Sequence, residues 1–282
     1  MKKVAIIILN FKLKSLTLKC IESVKKSLYK SIEIIVVDNG SNDGLEDEIK
    51  KFPNITFIQT GKNLGYTGGN NRGIKEALKR KVDFIFILNP DTYVDKNCIK
   101  NLVEGIEEVR AGVAGPKIYF GKSKKIWHAG GVMDDLNVIG THRGVDQEDK
   151  GQFDKVCEVD FVSGAAFFVK AEVFEKIGFF DERYFLYYED ADFCLRAKRG
   201  GFKIFYIPNA LVYHFNAASA GLGSPLQDYY ITRNRMLYGS KFLSFRTRFA
   251  LFREAFKNLG NPMRRLAFFD FLIGNFSKGS LK

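Results

Sequence analysis

The chain has 282 residues, of which 46% are hydrophobic and 27% are charged, as in ordinary globular proteins. No apolar run approaches the ~18 residues of a membrane-spanning helix, and residues 4–9 are too few for a signal-peptide core, so we expect a cytoplasmic protein. Lysine and arginine number 44 against 32 acidic residues, and the net charge of +12 favours anionic partners. The four cysteines lack paired spacing and predict neither a disulfide nor a zinc framework.

The beginning of the chain has the pattern of a parallel sheet. Residues 3–10 predict a buried strand, Ser15 is a candidate cap for the following helix, and residues 32–37 predict a second strand. Strand, helix and strand in this order form a βαβ unit, whose strands run parallel. Asn10 and Asp38 then lie at the carboxyl ends of these strands, where open α/β sheets bind their ligands.

Residues 63–73 are rich in asparagine and glycine and open a predicted helix that continues to Lys79. Glycine lets a ligand approach the backbone, and a helix N-terminus attracts phosphate. The spacing matches neither a Walker loop nor G-x-G-x-x-G, so a phosphate-binding loop and an ordinary turn both remain open.

Residues 84–88 predict another buried strand, which ends at Pro90 because proline cannot donate to a sheet ladder. Asp91 is thereby left at the carboxyl end of the strand, where a charge needs a cation, a helix N-terminus or water. Two interpretations are open. Asp91 either binds a metal for a phosphorylated donor, or forms an Asx turn that caps a helix beginning near Lys96.

The segment 187–196 carries three carboxylates, Glu189, Asp190 and Asp192, between aromatic residues. A solvated start of a helix is one interpretation, since acidic side chains suit a first turn. The apolar surroundings favour another, in which desolvation raises a carboxyl pKa towards the range of a useful general base.

Two histidines and one long segment are further candidates. His214 ends an apolar run and is either a core residue or a metal ligand. Residues 122–151 are polar and glycine-rich and predict an excursion that covers a substrate. His128 lies within it, as a loop histidine with ordinary hydrogen bonds or as a ligand. In the predicted strand 161–169, Gly164 leaves room for a sugar.

Four of these stretches occur together in one known family. They are Asn10-Phe11, Val-Val-Asp-Asn-Gly-Ser at 36–41, the glycine-rich residues 63–73, and Leu-Asn-Pro-Asp at 88–91. In this order and at these intervals they resemble the family 2 inverting glycosyltransferases, most closely the rhamnosyltransferase-like branch. The resemblance implies an α/β fold of the GT-A type, with a mixed, mainly parallel sheet flanked by helices.

The resemblance extends to about residue 240 and implies a domain organisation. Residues 1–240 would form the GT-A domain, with a nucleotide-binding half at 1–110 and an acceptor-binding half at 111–240. Residues 241–282, the C-terminal tail, interleave phenylalanine with lysine and arginine and predict one or two basic amphipathic helices. Packing on the main domain and contact with the inner face of the cell membrane are both open for this tail. No aromatic platform points to nucleic acid.

The resemblance also implies roles for individual residues. Asp190 would be the catalytic base, with Glu189 as the less favoured candidate, and Asp91 and His214 would hold Mg²⁺ or Mn²⁺. Asp192 and Arg233 would serve the acceptor or a phosphate. The residues expected to bind the nucleotide sugar are Asn10, Asp38, Asn63, Gly65, Gly68, Arg72, Asn89, Asp91 and Gly164. The usual Asp-x-Asp of the family is Asn-Pro-Asp here, so one carboxylate is missing.

The implied activity is transfer of rhamnose or a hexose, with inversion, from a dTDP- or UDP-sugar to a saccharide or lipid-linked saccharide, in the assembly of cell-surface polysaccharide or glycan. One alternative is a sugar-phosphate nucleotidyltransferase, which usually has a glycine-rich loop after its first strand; residues 10–14 contain no glycine. The other is an inactive nucleotide-sugar-binding protein, against which the presence of Asp91, Asp190 and His214 argues.

Overall fold

Strands and helices alternate along the first part of the chain. The computed structural model describes residues 1–215 and 223–281. The elements up to residue 110 are β1 (Val4–Asn10), α1 (Lys14–Lys25), β2 (Ile32–Asp38), α2 (Leu45–Ile49), β3 (Ile55–Gln59), α3 (Gly65–Lys79), β4 (Phe84–Leu88), β5 (Thr92–Val94) and α4 (Cys98–Glu108).

The second part adds short strands and then helices. Its elements are β6 (Val113–Phe120), β7 (Ile126–His128), β8 (Gly131–Asp134), β9 (Ile139–His142), β10 (Cys157–Glu158), β11 (Ala166–Lys170), α5 (Ala171–Ile177), α6 (Glu189–Arg199), β12 (Ile204–His214), α7 (Pro225–Phe242), α8 (Phe245–Lys257) and α9 (Pro262–Leu272). No helix within residues 1–215 and 223–281 is long and apolar enough to cross a membrane.

One large mixed sheet organises these elements in the order β10-β12-β6-β11-β4-β1-β2-β3, with β5 beside β12 and β7 beside β6. The strands β4, β1, β2 and β3 are parallel, whereas β11 runs antiparallel to both of its neighbours. The strands β8 and β9 form a separate antiparallel hairpin. The predicted α/β architecture with a mixed, mainly parallel sheet is confirmed.

Both faces of the sheet are buried, which explains why its central strands are apolar throughout rather than alternating. In β1, Ile6 and Ile8 belong to one core cluster, and Ala5 and Ile7 belong to the other. The helices α1 and α4 cover the first face, and α3, α5 and α6 cover the second. Asn10 and Asp38 end aligned strands as predicted, because β1 and β2 pair in that register.

Neither of the two candidate helix caps is formed. Ser15 does not cap α1, which already begins at Lys14 and has no side-chain cap. Asn10 orders this turn instead, because its Oδ1 accepts hydrogen bonds from Leu13 N at 3.1 Å and Thr17 Oγ1 at 2.9 Å. Asp91 does not cap the next helix either, since α4 begins at Cys98 and has no side-chain cap.

The glycines of residues 65–73 lie inside α3 rather than in a loop before it. A Cβ atom on Gly69 would lie 2.4 Å from Leu9 Cδ1, and one on Gly73 would lie 2.6 Å from Ile7 Cγ2. These glycines therefore let the helix pack closely on β1.

The runs 202–208 and 210–214, predicted as two strands, form the single strand β12, which has an irregularity between Ile207 and Leu211.

Gly65 provides a test of how closely the start of α3 packs on Phe185. It has a φ of +74°, and an added Cβ would lie 2.5 Å from both the carbonyl oxygen and a ring carbon of Phe185. We expect Gly65→Ala to lower the free energy of unfolding by about 2–4 kcal/mol, through backbone strain and overpacking together. Chemical denaturation measures this change. Gly61→Ala is the matched control, because Gly61 has a φ of +78° with no described atom within 4 Å of the added Cβ. It should cost only about 1–2 kcal/mol, and equal effects would contradict the packing argument.

Candidate active site

The carboxyl ends of β1, β4 and β12 and the start of α6 surround a cavity of about 1100 Å³. This volume is at the upper end of the range of small-molecule sites in proteins. The predicted site residues that line it are Asn63, Gly65, Asn89, Asp91, Gly164, Glu189, Asp190 and His214. Sequence positions up to 151 residues apart thus meet at one edge of the sheet, as the positions of the strand ends predicted.

Asp91 and His214 form a buried pair in the lining of this cavity. The antiparallel pairing of β5 with β12 sets His214 opposite Thr92, and His214 Nε2 lies 3.1 Å from Asp91 Oδ1. Neither Asp91 Oδ2 nor His214 Nδ1 has a hydrogen-bond partner within the described residues. Trp127 packs against the imidazole of His214, with 4.7 Å between ring centroids.

This pair fits a hard divalent cation. Residues 1–215 and 223–281 contain no cluster of three histidine, cysteine or acidic side chains able to hold a metal. Mg²⁺, however, is commonly held by one or two carboxylates while substrate phosphates complete its coordination. Among the described residues the buried Oδ2 of Asp91 has no hydrogen-bond partner, and a carboxylate oxygen is the kind of ligand that such a cation takes.

Glu189 and Asp190 open α6 directly after Tyr187 and Tyr188, which both have positive φ angles. Glu189 is 5% exposed, and its Oε2 has no partner among the described residues. Burial, followed by the negative charge of Asp190, raises the pKa of Glu189 well above its ordinary value. Burial therefore favours the protonated form of Glu189.

Asp190 is more exposed than Glu189, and protein groups donate hydrogen bonds to both of its carboxylate oxygens. Its Oδ2 accepts a hydrogen bond from Gly164 N at 3.1 Å, and its Oδ1 accepts one from Ala191 N at 2.8 Å. Burial raises the pKa of Asp190, while these hydrogen bonds and the nearby His142 oppose that rise. The carboxylate form is thus available at Asp190, which faces the cavity.

Asp38 and Asn10 lie just behind the cavity wall. Asp38 is 2% exposed and accepts hydrogen bonds from Asn10 Nδ2 at 2.7 Å, from Ser41 N at 3.1 Å and from Gln59 Nε2 at 2.7 Å. Although burial raises the pKa of Asp38, these hydrogen bonds outweigh it and lower the pKa. The adjacent Asn39 lines the cavity instead.

Four other predicted residues are outside the described lining of the cavity. Gly68 is buried within α3, and Arg72 is exposed on the same helix. Asp192 is fully buried between Arg196, at 2.7 Å, and Lys241. Arg233 is also fully buried, and its guanidinium donates to the carbonyl oxygen of Ser277 at 2.8 Å. Protein groups already engage these two charges.

The neighbour of Arg233 holds the loop that carries the two acidic residues. Asn234 Nδ2 donates to the carbonyl oxygens of Leu186 at 2.8 Å and Tyr187 at 2.9 Å. These residues immediately precede the turn into α6. The helix α7 is therefore attached to the active-site loop on one side and to the end of the chain on the other.

His142 is a cavity residue that the sequence did not single out. It lies on β9, and its ring centroid is 4.7 Å from Trp127 and 4.5 Å from His128. Burial lowers the pKa of His142, and the charge of Asp190 opposes this shift. No periodicity or motif marked it, because the hairpin β8–β9 lies outside the main sheet.

The interpretation of His128 as a loop histidine with ordinary hydrogen bonds is wrong. It lies on β7, and within the described residues both of its buried ring nitrogens have no hydrogen-bond partner. Burial holds its pKa well below the usual value, so the ring is neutral. It is outside the described lining of the cavity and supports the ring of His142 by packing.

The family of the chain follows from a direct comparison. A family model described as Glycosyl transferase family 2 matches residues 4–178, more than half of the chain. The chain belongs to glycosyl transferase family 2. The predicted family is thereby confirmed, and residues 4–178 of this glycosyltransferase include the whole Asn89–Asp91 motif.

Relatives support the rhamnosyltransferase-like branch. The low-salt glycan biosynthesis hexosyltransferase Agl10 of Haloferax volcanii is 29% identical over 209 residues, which are 71% of this glycosyltransferase and only 63% of that protein. The N-acetylglucosaminyl-diphospho-decaprenol L-rhamnosyltransferase of Mycobacterium tuberculosis is 28% identical over 222 residues, 71% of each chain. The dTDP-rhamnosyl transferase RfbF of Shigella flexneri is 26% identical over 246 residues, covering 82% of this chain and 77% of its own.

Solved structures confirm the GT-A fold. GalNAc-T7 with UDP, GalNAc and Mn²⁺ has a TM-score of 0.64 at 17% identity, and the match covers 84% of this glycosyltransferase and 51% of that chain. Residues 1–349 of S. aureus TarS in complex with UDP-GlcNAc have a TM-score of 0.60 at 18% identity, covering 84% and 66%.

Proposed function

We propose that this glycosyltransferase moves rhamnose or another hexose from a dTDP- or UDP-sugar to a saccharide or lipid-linked saccharide, with inversion, in the assembly of a cell-surface glycan. The observation that carries this proposal is the single cavity lined by Asp91, His214 and Asp190. The names of the mycobacterial and Shigella relatives support rhamnose as the sugar. The UDP in the neighbouring structures supports a nucleotide-activated donor.

In the proposed reaction Asp190 is the general base. Its carboxylate takes the proton of the acceptor hydroxyl while that oxygen attacks the anomeric carbon. The new glycosidic bond forms as the bond from the anomeric carbon to the diphosphate oxygen breaks, and the nucleoside diphosphate leaves with the electron pair. Because attack and departure occur on opposite faces, the configuration inverts. The amides of Gly164 and Ala191 orient the carboxylate.

Asp91 and His214 would hold the divalent cation, Mg²⁺ or Mn²⁺. When bound, the cation neutralises the negative charge that develops on the diphosphate leaving group. Asn89 lies beside them in the cavity lining and offers an amide where relatives in this family usually carry a second carboxylate. We therefore expect a weaker affinity for the metal than a site with two carboxylates would have.

The nucleobase is assigned to the wall formed by Asn39 and Asn63, whose side chains are joined by a 3.0 Å hydrogen bond. Asp38 lies behind this wall, covered by the exposed side chain of Gln59. A uracil or thymine imide N–H would replace the amide of Gln59 on Asp38 Oδ2. This exchange would keep the buried carboxylate hydrogen-bonded, which supports a donor with a pyrimidine base.

A panel of nucleotide sugars tests the proposal. We expect dTDP-rhamnose or a UDP-hexose, with Mn²⁺ or Mg²⁺, to raise the melting temperature, since a ligand at a hundred times its Kd stabilises the folded state by about 2.7 kcal/mol. The same donor should be transferred or slowly hydrolysed. Stabilisation by sugar phosphates with free nucleoside triphosphates, and pyrophosphate release, would favour a nucleotidyltransferase instead. Binding without turnover of any acceptor would favour an inactive binding protein.

A further inference from the structure

The helix α8 presents an apolar stripe to solvent. Phe245, Phe249, Phe252 and Phe256 follow one another at intervals of four, three and four residues, which places them on one face of a helix. They are 78%, 58%, 39% and 60% exposed. A neighbouring face of α8 carries the buried Leu251 and Ala255, and the helix packs against both α7 and α9. This packing leaves most of the stripe exposed.

This stripe continues onto α9. The buried ring of Phe268 lies 5.1 Å from Phe252 and 5.7 Å from Phe269, between ring centroids. Beyond it, Phe269 on α9 is exposed, as are Leu272 and Ile273 at the end of that helix. We call the surface formed by the exposed members the aromatic face. It consists of Phe245, Phe249, Phe252, Phe256, Phe269, Leu272 and Ile273.

Positive charge accompanies the aromatic face. Arg246, Arg253, Lys257 and Arg265 are exposed on the same two helices, and none of them forms an ion pair with another described residue. The acidic residue Glu254 on α8 is already paired with Arg235, at 2.8 Å. Large exposed apolar surfaces mark interaction sites, and one with basic neighbours is complementary to an apolar phase with a negatively charged boundary.

We infer that the aromatic face lies in the interface of an anionic lipid bilayer. Phenylalanine and leucine side chains would enter the boundary between head groups and acyl chains, while the four unpaired cations contact lipid phosphates. A second copy of the chain is a poorer occupant. A symmetric dimer would place the same patch on both sides and so bring these cations face to face without counter-charges.

The position of α8 relates this surface to the cavity. Arg235 lines the cavity, and its guanidinium bonds both Glu254 on α8 and the carbonyl oxygen of Asn137 in the β8–β9 hairpin. The adjacent Leu136, at the hairpin tip, is 82% exposed. This relation to the acceptor rests on the proposed function. A lipid-linked acceptor in the bilayer would reach the cavity from the side formed by α7 and this hairpin.

Vesicle flotation of the full chain, without donor or acceptor, tests the inference. We expect the protein to float with vesicles of phosphatidylglycerol and phosphatidylcholine in equal parts and to remain behind with phosphatidylcholine alone. The double variant Phe249→Ser, Phe256→Ser should weaken binding by at least about tenfold. The double variant Arg246→Glu, Arg253→Glu should weaken it by about fivefold for each charge removed, or more, and added salt should have a similar effect.

Leu28→Ser is the matched control, because Leu28 is 55% exposed and far from these helices in the chain. It should float as the unmodified chain does, and thermal melts should show all variants folded. Equal flotation of the phenylalanine variant and the control would overturn the inference. A second result would also overturn it. In that result light scattering shows that the unmodified chain is a dimer, that the phenylalanine double variant is a monomer, and that neither binds vesicles. Because no sugar transfer is measured, either result leaves the proposed reaction to its own test.

Discussion

Replacing Asp190 by asparagine is expected to reduce kcat by about 10²–10⁴-fold, the usual contribution of a general base. Asparagine keeps the shape of the side chain and can still accept hydrogen bonds from the amides of Gly164 and Ala191. It cannot take a proton from the acceptor hydroxyl. Steady-state transfer to a soluble acceptor measures the loss, and donor binding should change little because the residues proposed to bind the diphosphate and the nucleobase are other members of the cavity wall.

Glu189→Gln is the matched control for this prediction. Glu189 is buried and its pKa is raised well above the ordinary value, so a neutral glutamine of the same size mimics the protonated form that burial favours. We expect this variant to keep activity within about tenfold of the unmodified enzyme, since only a change of hydrogen-bonding group is introduced. The reverse ranking, with Glu189→Gln inactive and Asp190→Asn active, would exchange the roles of the two residues.

The pH profile adds to the Asp190 measurement. A base must have lost its proton to act, so the rate should rise with pH as the Asp190 carboxyl ionises. Because burial raises the pKa of Asp190, this acid limb should lie above the ordinary aspartate value of 3.8. A rate that stays constant to below that value would contradict Asp190 as the base.

Asp91→Asn is expected to lower kcat by at least about 10²-fold and to remove the effect of Mn²⁺ or Mg²⁺ on donor binding. The change removes the one carboxylate of the proposed metal pair while His214 stays in place. Transfer rates and melting temperatures over a metal titration, with and without the donor, measure both effects. An unchanged metal dependence would place the cation elsewhere or remove it from the reaction.

Asn89→Asp is the complementary variant at the same strand end. It adds a second carboxylate to the cavity lining beside Asp91. More negative oxygen ligands strengthen the binding of a hard cation. Half-maximal activity should therefore require less metal than in the unmodified enzyme, so that the two variants move the titration in opposite directions.

The sheet and the position of the cavity could be predicted because both depend on local signals. An apolar run followed by Asn10, Asp38 or Asp91 identifies a strand and its carboxyl end, and parallel strands bring those ends to one edge. The same signals could not distinguish the residues that enter the cavity from those just behind it. Asp38 is an example, since three protein donors already surround its carboxylate.

Other interpretations depended on contacts between distant parts of the chain. Arg233 has the fork geometry that suits phosphate, but carbonyl groups of the C-terminal tail, more than 40 positions later, occupy its guanidinium. The glycines of α3 have a sequence pattern that also fits a ligand-binding turn, but Gly69 and Gly73 pack against β1. His142 lines the cavity from a hairpin outside the main sheet, and no periodicity in the sequence predicts this position.

Residues 275–281 are connected to the loop before α6 through α7. Ser277 is an acceptor for the buried Arg233, and Asn234, the next residue, holds the loop that leads to Asp190. Removal of residues 275–281 would take away two carbonyl acceptors of this buried guanidinium, those of Asn275 and Ser277. We expect the loss to destabilise the loop that leads to Asp190. Substitutions within residues 275–281 are therefore expected to alter turnover, although these residues are outside the described lining of the cavity.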